Sequence, residues 1–124
     1  MTIENINEKI ESIFANFSVA GESIPVRFMY YFGHDESYVV YQQVDADSSI
    51  AGDDGLLAYA DYYDFDVYAK GNYFAIIDAV TELLEANDFY FEPSRSSEDM
   101  YEEETGYFHK TLNFQFLKGV QRNG

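Results

Sequence analysis

The stretch that decides the fold is YFHKTLNFQFL, residues 107–117. Apolar and polar side chains alternate along it, and a period of two is typical of a strand that has one covered face. We therefore predict a strand over residues 107–117. The apolar positions are Phe108, Leu112, Phe114 and Phe116, and the polar positions are His109, Thr111, Asn113 and Gln115.

The same alternation occurs upstream, over residues 57–70, and predicts a second long strand. One parity is mainly apolar and the other carries carboxylates and phenols, so one face of the sheet is covered and the other is wet. The first parity holds Tyr59, Tyr63, Phe65, Val67 and Ala69. The second parity holds Tyr62, Asp64, Asp66, Tyr68 and Lys70.

Two segments have helical periodicity. Residues 2–17 repeat apolar side chains at spacings of three, four and seven, with Thr2 as the expected cap and Ala20-Gly21 as the stop. A second helix follows Asn72 and ends at Asn87-Asp88. Its apolar stripe is Tyr73, Ile76, Ile77, Val80, Leu83 and Leu84. Such amphipathic helices need a partner surface, which the sheet provides.

The remaining segments complete an α+β domain. Residues 26–31 and 38–44 are predicted to form a hairpin through a turn at 33–37, and residues 89–92 begin another strand. Polar, acidic connections span residues 45–55 and 93–106. The order α-β-β-β-α-β-β predicts a four- to five-stranded, largely antiparallel sheet with both helices on one face. We expect one domain over 1–124, with 118–124 as a flexible tail. The expected core includes Phe108, Leu112, Phe114, Phe116, Ile77, Val80 and Leu84.

The charge balance excludes several function classes. The 124-residue chain has 23 Asp and Glu against seven Lys and Arg, a net charge of −16. This field repels phosphate backbones and anionic lipids, so we expect no stable nucleic-acid binding and no membrane binding. The absence of Cys excludes disulfides and thiolate chemistry. No signal-peptide pattern opens the sequence, so we expect the protein in a cytoplasm or delivered from it in an assembly.

Acidic residues are also patterned. Between Arg27 and Lys70 there are nine carboxylates and no Lys or Arg. Each predicted helix carries carboxylates at i, i+4 and i+7, although like charges four apart disfavour a helix. Two interpretations stay open, a plain solvated face and a surface kept negative for function. The stripes are Glu4, Glu8 and Glu11, and Asp78, Glu82 and Glu85.

No catalytic or metal motif is present in the sequence. It has two His and no recognisable nucleophile–base pair, so we expect no enzyme activity. His109 could act as a base, but a pairing with a carboxylate is the simpler expectation. Residues 45–49 (DADSS) begin like a calcium loop, yet Ile50 and Leu56 occupy the positions that need Gly and Glu. We expect no metal and no cofactor.

Residues 101–114 (YEEETGYFHKTLNF) resemble the C-terminal strand of the tail terminator or tail-completion proteins of long-tailed phages. Residues 64–71 (DFDVYAKG), which precede a helix, are similar to the central strand of that family. The resemblance implies a ring of six subunits that caps the tail tube and joins the head connector. The implied partners are further copies, the tail tube protein and the connector. The implied location is the head-proximal end of the tail, with the host cytoplasm during assembly.

Within that expectation the acidic surface would line a lumen through which DNA passes without adhering. Candidate interface residues are Tyr101, Glu102, His109 and Lys110, together with Asp45, Asp47, Asp53 and Asp54 in the first acidic connection. A local ion pair at a strand entry is the alternative for the first four. Repulsion between equal charges predicts that the isolated protein is monomeric until it meets a tail tip.

Two other functions remain open from the sequence. An acidic DNA mimic or an immunity-type inhibitor would bind a basic protein tightly and with salt sensitivity. A head-completion or stopper protein would act at the same junction as a tail terminator.

Overall fold

The computed structural model describes residues 5–33, 35–47 and 56–121. It confirms the α+β class, with a mostly antiparallel sheet and two α-helices. The helices are α1 (Ile6–Ile13) and α2 (Tyr73–Glu85), and a 3₁₀ turn spans Pro93–Arg95. The strands are β1 (Ser18–Val19), β2 (Glu22–Ser23), β3 (Val26–Phe28), β4 (Ser37–Asp47), β5 (Leu56–Ala69), β6 (Phe89–Phe91), β7 (Met100–Glu102) and β8 (Tyr107–Gln121).

Six strands form the main sheet in the order β3-β4-β5-β8-β6, and β7 also pairs with β8. β1 and β2 form a separate small hairpin. The strand count is thus slightly higher than predicted, because the 93–106 connection contains β7 and residues 18–23 contain the small hairpin.

The centre of the sheet is the antiparallel pair β5–β8. Its register runs from Ala69 opposite Phe108 to Leu56 opposite Gln121. β8 therefore continues past the predicted end at residue 117, and residues 118–121 pair with β5 where we expected a tail. Residues 122–124 lie outside the described part of the chain.

The predicted covered face of the sheet is confirmed. Phe65, Val67, Leu112 and Phe114 are almost completely buried, and the Phe14 and Phe65 ring centroids are 6.1 Å apart. Both helices belong to the same core cluster as these strand residues. The buried side chains of α2 are Tyr73, Ile76, Val80 and Leu84, while Ile77 and Leu83 are half-buried.

Phe108 does not belong to the core, contrary to the prediction. Its side chain is 39% exposed and contacts the rings of Tyr73 and Tyr101, with centroids 5.6 and 4.8 Å away. Because α2 begins at Tyr73, the first residues of β8 run past the end of the helix that would cover them. The alternation of apolar and polar residues identifies which face of β8 packs on the helices. It does not show how far along β8 the helix extends.

The first helix is shorter than its apolar periodicity suggests. Asn5 caps it, since its side chain accepts a 3.2 Å hydrogen bond from the Glu8 N–H, and the helix ends at Ile13. The predicted cap, Thr2, lies outside the described residues. Phe14 and Phe17 remain buried although they follow the helix. Asn16 is left-handed at φ 58°, which turns the chain into the small hairpin.

The predicted hairpin of residues 26–31 and 38–44 is wrong, because β3 runs parallel to β4. Met29 is left-handed at φ 70°, and the Tyr30 N–H donates to the Phe28 carbonyl, so the chain leaves the sheet directly after β3. It then returns along the molecule to begin β4 at Ser37. In the described part of the chain β3 pairs with β4 alone and is an edge strand.

β8 has its outer backbone groups satisfied by three different segments. β6 pairs with residues 114–116 and β7 with residues 107–109. Between them, the hydroxyls of Ser96 and Ser97 each accept a 2.9 Å hydrogen bond, from the N–H of Asn113 and of Thr111 respectively. The connection is therefore part of the sheet edge rather than a free loop.

Candidate functional site: an acidic helix layer and two aromatic edges

The outer surface of the two helices is acidic. Its carboxylates are all exposed, and we call this surface the acidic helix layer; its members are Glu8, Glu11, Asp78, Glu82 and Glu85. The two helices contain a single basic residue, Lys9, whose ammonium lies over the Phe116 ring at 5.4 Å. The cation is thus half-buried against the core, and the outer surface keeps one sign of charge.

The sequence predicts that the sheet face opposite the helices is exposed to solvent. In the structure, many of its polar side chains are hydrogen-bonded to one another. Asn113 Nδ2 donates a 2.8 Å hydrogen bond to Asp64 Oδ1, and Thr111 Oγ1 donates a 2.5 Å bond to Asp66 Oδ1. Burial raises the pKa of Asp64, an effect that the Asn113 hydrogen bond opposes. These polar side chains stabilise one another and leave few groups to bind a partner.

Four aromatic rings stack side by side across this open face. Tyr31, Tyr38, Tyr68 and His109 follow one another with centroid separations of 4.5, 4.7 and 4.1 Å. Burial, followed by the neighbouring phenols and Glu102, raises the pKa of Tyr38 to about 12. The ring faces contact one another, so they form an internal stack rather than a platform for a ligand.

His109 lies near a carboxylate, in agreement with the simpler expectation. Its Nε2 is 3.8 Å from Asp66 Oδ1 and has no hydrogen-bond partner among the described residues. Its sequence neighbour Lys110 is on the helix side, where the ammonium is 3.5 Å from Asp99 Oδ1. Adjacent residues of a strand point to opposite faces, so the structure does not bring these two predicted interface residues together.

The other candidate residues are also spread over the surface. Tyr101 is 55% exposed on the helix side of β7, and Glu102 is exposed at its end. Asp45 makes a 3.0 Å ion pair with Arg95, whose guanidinium lies 3.8 Å from the centre of the Tyr62 ring. The side chains of Asp47, Asp53 and Asp54 lie outside the described part of the molecule.

Two exposed aromatic clusters lie at opposite edges of the sheet, and the sequence analysis identified neither as a surface. The first, the β3 edge, consists of Phe28, Met29, Tyr30 and Phe32, which are 46, 54, 65 and 88% exposed. The second, the β7 edge, consists of Phe74, Tyr101 and Phe108. A signal for the first was available, since residues 28–32 (FMYYF) have no polar alternation and so cannot be a half-covered strand.

A groove accompanies the β3 edge. It has a volume of about 320 Å³ and lies where α1 meets β3 and β4. Ile10, Phe14, Phe28 and Tyr41 contribute apolar groups to its lining, which also contains the exposed Glu11 and Arg27. The groove has the size and lining to receive an aromatic side chain.

The described residues contain no group of three or more His, Asp or Glu side chains that could hold a metal ion. No helix in the same part of the chain is both long and apolar enough to cross a bilayer. Among the described residues, the acidic helix layer and the two edges are the surfaces with the most distinctive charge and aromatic exposure. Comparison with protein-family models and with curated protein sequences gives no match.

Proposed function

We propose that this chain is a structural virion protein, the tail terminator or tail-completion protein of a long-tailed phage. It forms a ring of six subunits that caps the tail tube and joins it to the head connector. The observation that carries the proposal is the acidic helix layer, with five exposed carboxylates and its one cation folded against Phe116. The resemblance of residues 101–114 to the C-terminal strand of that family supports the same assignment.

The proposed role of the acidic helix layer is to line the lumen. DNA that leaves the head passes a wall that carries the same sign of charge as its phosphates. A basic wall would hold each phosphate it met, because a Lys or Arg contact releases condensed counterions and binds. The acidic wall offers no such contact, so the polymer moves through without adhering.

The proposed partners are further copies of the chain, the tail tube protein and the connector. The open face of the sheet supports this indirectly, because its stacked rings and several of its polar groups are paired within the subunit. Contacts between proteins then fall to the edges and to the acidic hairpin that carries Glu102, Glu103 and Glu104, all exposed. A stopper protein at the same junction would use the same surfaces.

The acidic helix layer also favours a second candidate, an inhibitor that binds a basic protein. In that case the carboxylates would meet Lys and Arg side chains, and the complex would form fast and weaken with salt. The inhibitor binds a partner in solution, whereas the terminator acts in a particle.

Electron microscopy of phage particles assembled with and without the chain tests the proposal. We expect tails of irregular length that are not joined to heads when it is missing, and normal particles when the wild-type chain is restored. Joined particles with tails of regulated length in its absence would refute the proposal. Tight, salt-sensitive capture of a basic nuclease by the purified chain would establish the inhibitor instead.

A charge-reversed variant tests the role of the lumen separately. Asp78→Lys with Glu82→Lys reverses two carboxylates of the acidic helix layer, and we expect regulated tails whose DNA is released more slowly. Glu36→Lys with Glu98→Lys is the matched control, since both side chains are exposed, both residues lie outside the helices, and the net charge changes equally. Equal release from both variants would show that the helix layer does not face the DNA.

A further inference from the structure

We infer that the β3 edge of one chain binds the β7 edge of a second copy, in a head-to-tail contact. The inference deepens the proposed function, on which it rests for the closed ring, by naming the two surfaces that join neighbouring subunits.

Both edges expose several large aromatic side chains. Phe32 is 88% exposed and Tyr30 65%, on one side, and Phe74 is 70% exposed and Tyr101 55%, on the other. Exposed aromatic clusters of this kind mark sites of protein association. Aromatic side chains are also enriched at the centres of interfaces.

Their position allows one chain to use both edges at once. β3 and β7 are separated by β4, β5 and β8, which amounts to four inter-strand spacings, or about 19 Å. A contact between two different surfaces of the same chain is heterologous, and such contacts produce rings when the rotation closes. A two-fold dimer would instead bring one edge against itself.

Their shapes are complementary. The β3 edge has the groove of about 320 Å³ lined by Ile10, Phe14 and Phe28. The β7 edge has the projecting rings of Phe74 and Tyr101, which pack on Tyr73 and Phe108 at centroid distances of 5.2 and 4.8 Å. An aromatic side chain seated in a groove is a frequent centre of a tight contact.

Their charges select a second copy rather than an unrelated apolar partner. Arg27 and Glu11 both line the groove and are exposed, and Arg27 has no ion pair among the described residues. Glu102, Glu103 and Glu104, beside the β7 edge, are all exposed. An ion pair between Arg27 and these carboxylates fixes the register of a head-to-tail contact, and the three like charges oppose a β7 edge meeting itself.

Cross-linking of the cysteine-free chain tests the contact directly. Met29→Cys places a thiol on the β3 edge and Tyr101→Cys places one on the β7 edge, both at exposed positions. A flexible bis-maleimide long enough to span either edge is added at high protein concentration and raised salt, which screens the net repulsion. Glu82→Cys, on the acidic helix layer, measures cross-linking by random collision.

We expect a covalent dimer well above the collision level when the two variants are mixed, and collision level with either alone. The double variant Met29→Cys/Tyr101→Cys is expected to give a ladder of multimers. Strong cross-linking within a single variant would overturn the inference in favour of a symmetric contact. Collision-level product in the mixture would overturn it outright.

A charge exchange provides a second readout that misfolding cannot imitate. Introducing Arg27→Glu into the Met29→Cys chain is expected to reduce the mixed product several-fold. Introducing Glu103→Lys into the Tyr101→Cys chain is expected to restore it. No restoration would exclude the pairing of these charges.

The two proposals fail in distinguishable ways, because the cross-link is measured on the purified chain and the tail role on particles. A mixed cross-link with unaffected particles would retain the contact and remove the tail assignment.

Discussion

Asn113 and Asp64 are joined across β8 and β5 by a 2.8 Å hydrogen bond from Nδ2 to Oδ1, at a position where Asn113 is 1% exposed. The bond is formed on the sheet face opposite the helices. Polar side chains on this face of the two central strands are therefore bonded to each other as part of the fold, although the sequence pattern alone predicts a solvated face.

We predict that Asp64→Asn retains this bond and does not destabilise the protein at neutral pH. Burial raises the pKa of Asp64, so the folded state favours the protonated carboxyl and the charged form costs stability as the pH rises above 3.8. The variant removes that cost, which we place at roughly 1 kcal/mol or less for a half-exposed group. Urea unfolding from pH 3 to pH 7 should show that the free energy of unfolding of the variant equals or exceeds that of wild type at pH 7. This difference should vanish at pH 3.

Asp99→Asn should have the opposite pH dependence. The Tyr73 hydroxyl donates a 2.6 Å hydrogen bond to Asp99, and this bond, with Lys110, holds the pKa of Asp99 below its usual value. A lowered pKa contributes stability above pH 3.8 that is lost as the pH falls through the folded value. Urea unfolding over the same pH range should show that the variant has a lower free energy of unfolding than wild type at neutral pH and the same value in acid. A loss of stability that persists in acid would contradict the lowered pKa of Asp99 as its cause.

We predict that alkaline unfolding depends on buried phenols. Burial is the first cause that raises the pKa of both Tyr38 and Tyr63 to about 12. Stability from these groups is present below pH 10 and is lost as the pH rises towards 12, because the unfolded chain ionises first. Tyr38→Phe should move the alkaline unfolding midpoint upwards. Tyr90→Phe removes an exposed phenol and should leave the midpoint unchanged.

Ser96→Ala and Ser97→Ala should each destabilise the protein by about 1–3 kcal/mol. Each substitution removes a hydroxyl that accepts a hydrogen bond from a backbone N–H of β8. An N–H group that is left without a partner lowers the free energy of unfolding by the cost of its desolvation. Ser94→Ala, which truncates an exposed hydroxyl in the same connection, is the matched control. Equal midpoints for Ser94→Ala and Ser97→Ala in urea would contradict the role of the hydroxyls.

Leu84→Ala should cost about 2–5 kcal/mol, since Leu84 is completely buried. Phe108→Ala should cost clearly less, because 39% of that side chain is exposed. Urea unfolding compares the two variants directly. A larger loss for Phe108→Ala would place Phe108 in the core, as the alternation alone suggested.

Local pattern determined much of the fold. The alternation in β5 and β8 and the stripe of α2 were sufficient to predict the central sheet, the covered face and the helix that packs on it. What pattern could not predict was pairing. The parallel alignment of β3 and β4 depends on backbone reversal at Met29 and on stacking of Tyr31 against Tyr38, which are tertiary effects.

The candidate surfaces were only partly predictable. The carboxylates of the acidic helix layer follow from helical spacing, and their exposure agrees with it. The separation of His109 from Lys110 also follows from strand geometry. The β7 edge required the structure, because exposure of Phe74 or Tyr101 depends on where the neighbouring elements end, whereas residues 28–32 of the β3 edge gave a sequence signal.

The register of β5 and β8 has a kinetic consequence. The pairs that hold the domain together join positions far apart in the sequence, from Ala69 with Phe108 to Leu56 with Gln121. Bringing β5 and β8 together loses chain entropy before any hydrogen bond between the two strands is formed. Folding of this domain should therefore be slow for its size. Nascent chains would then expose the β8-facing edge of β5 until β8 has been synthesised, although β4 can already pair with the other edge of β5, which makes dilution or chaperones important during synthesis.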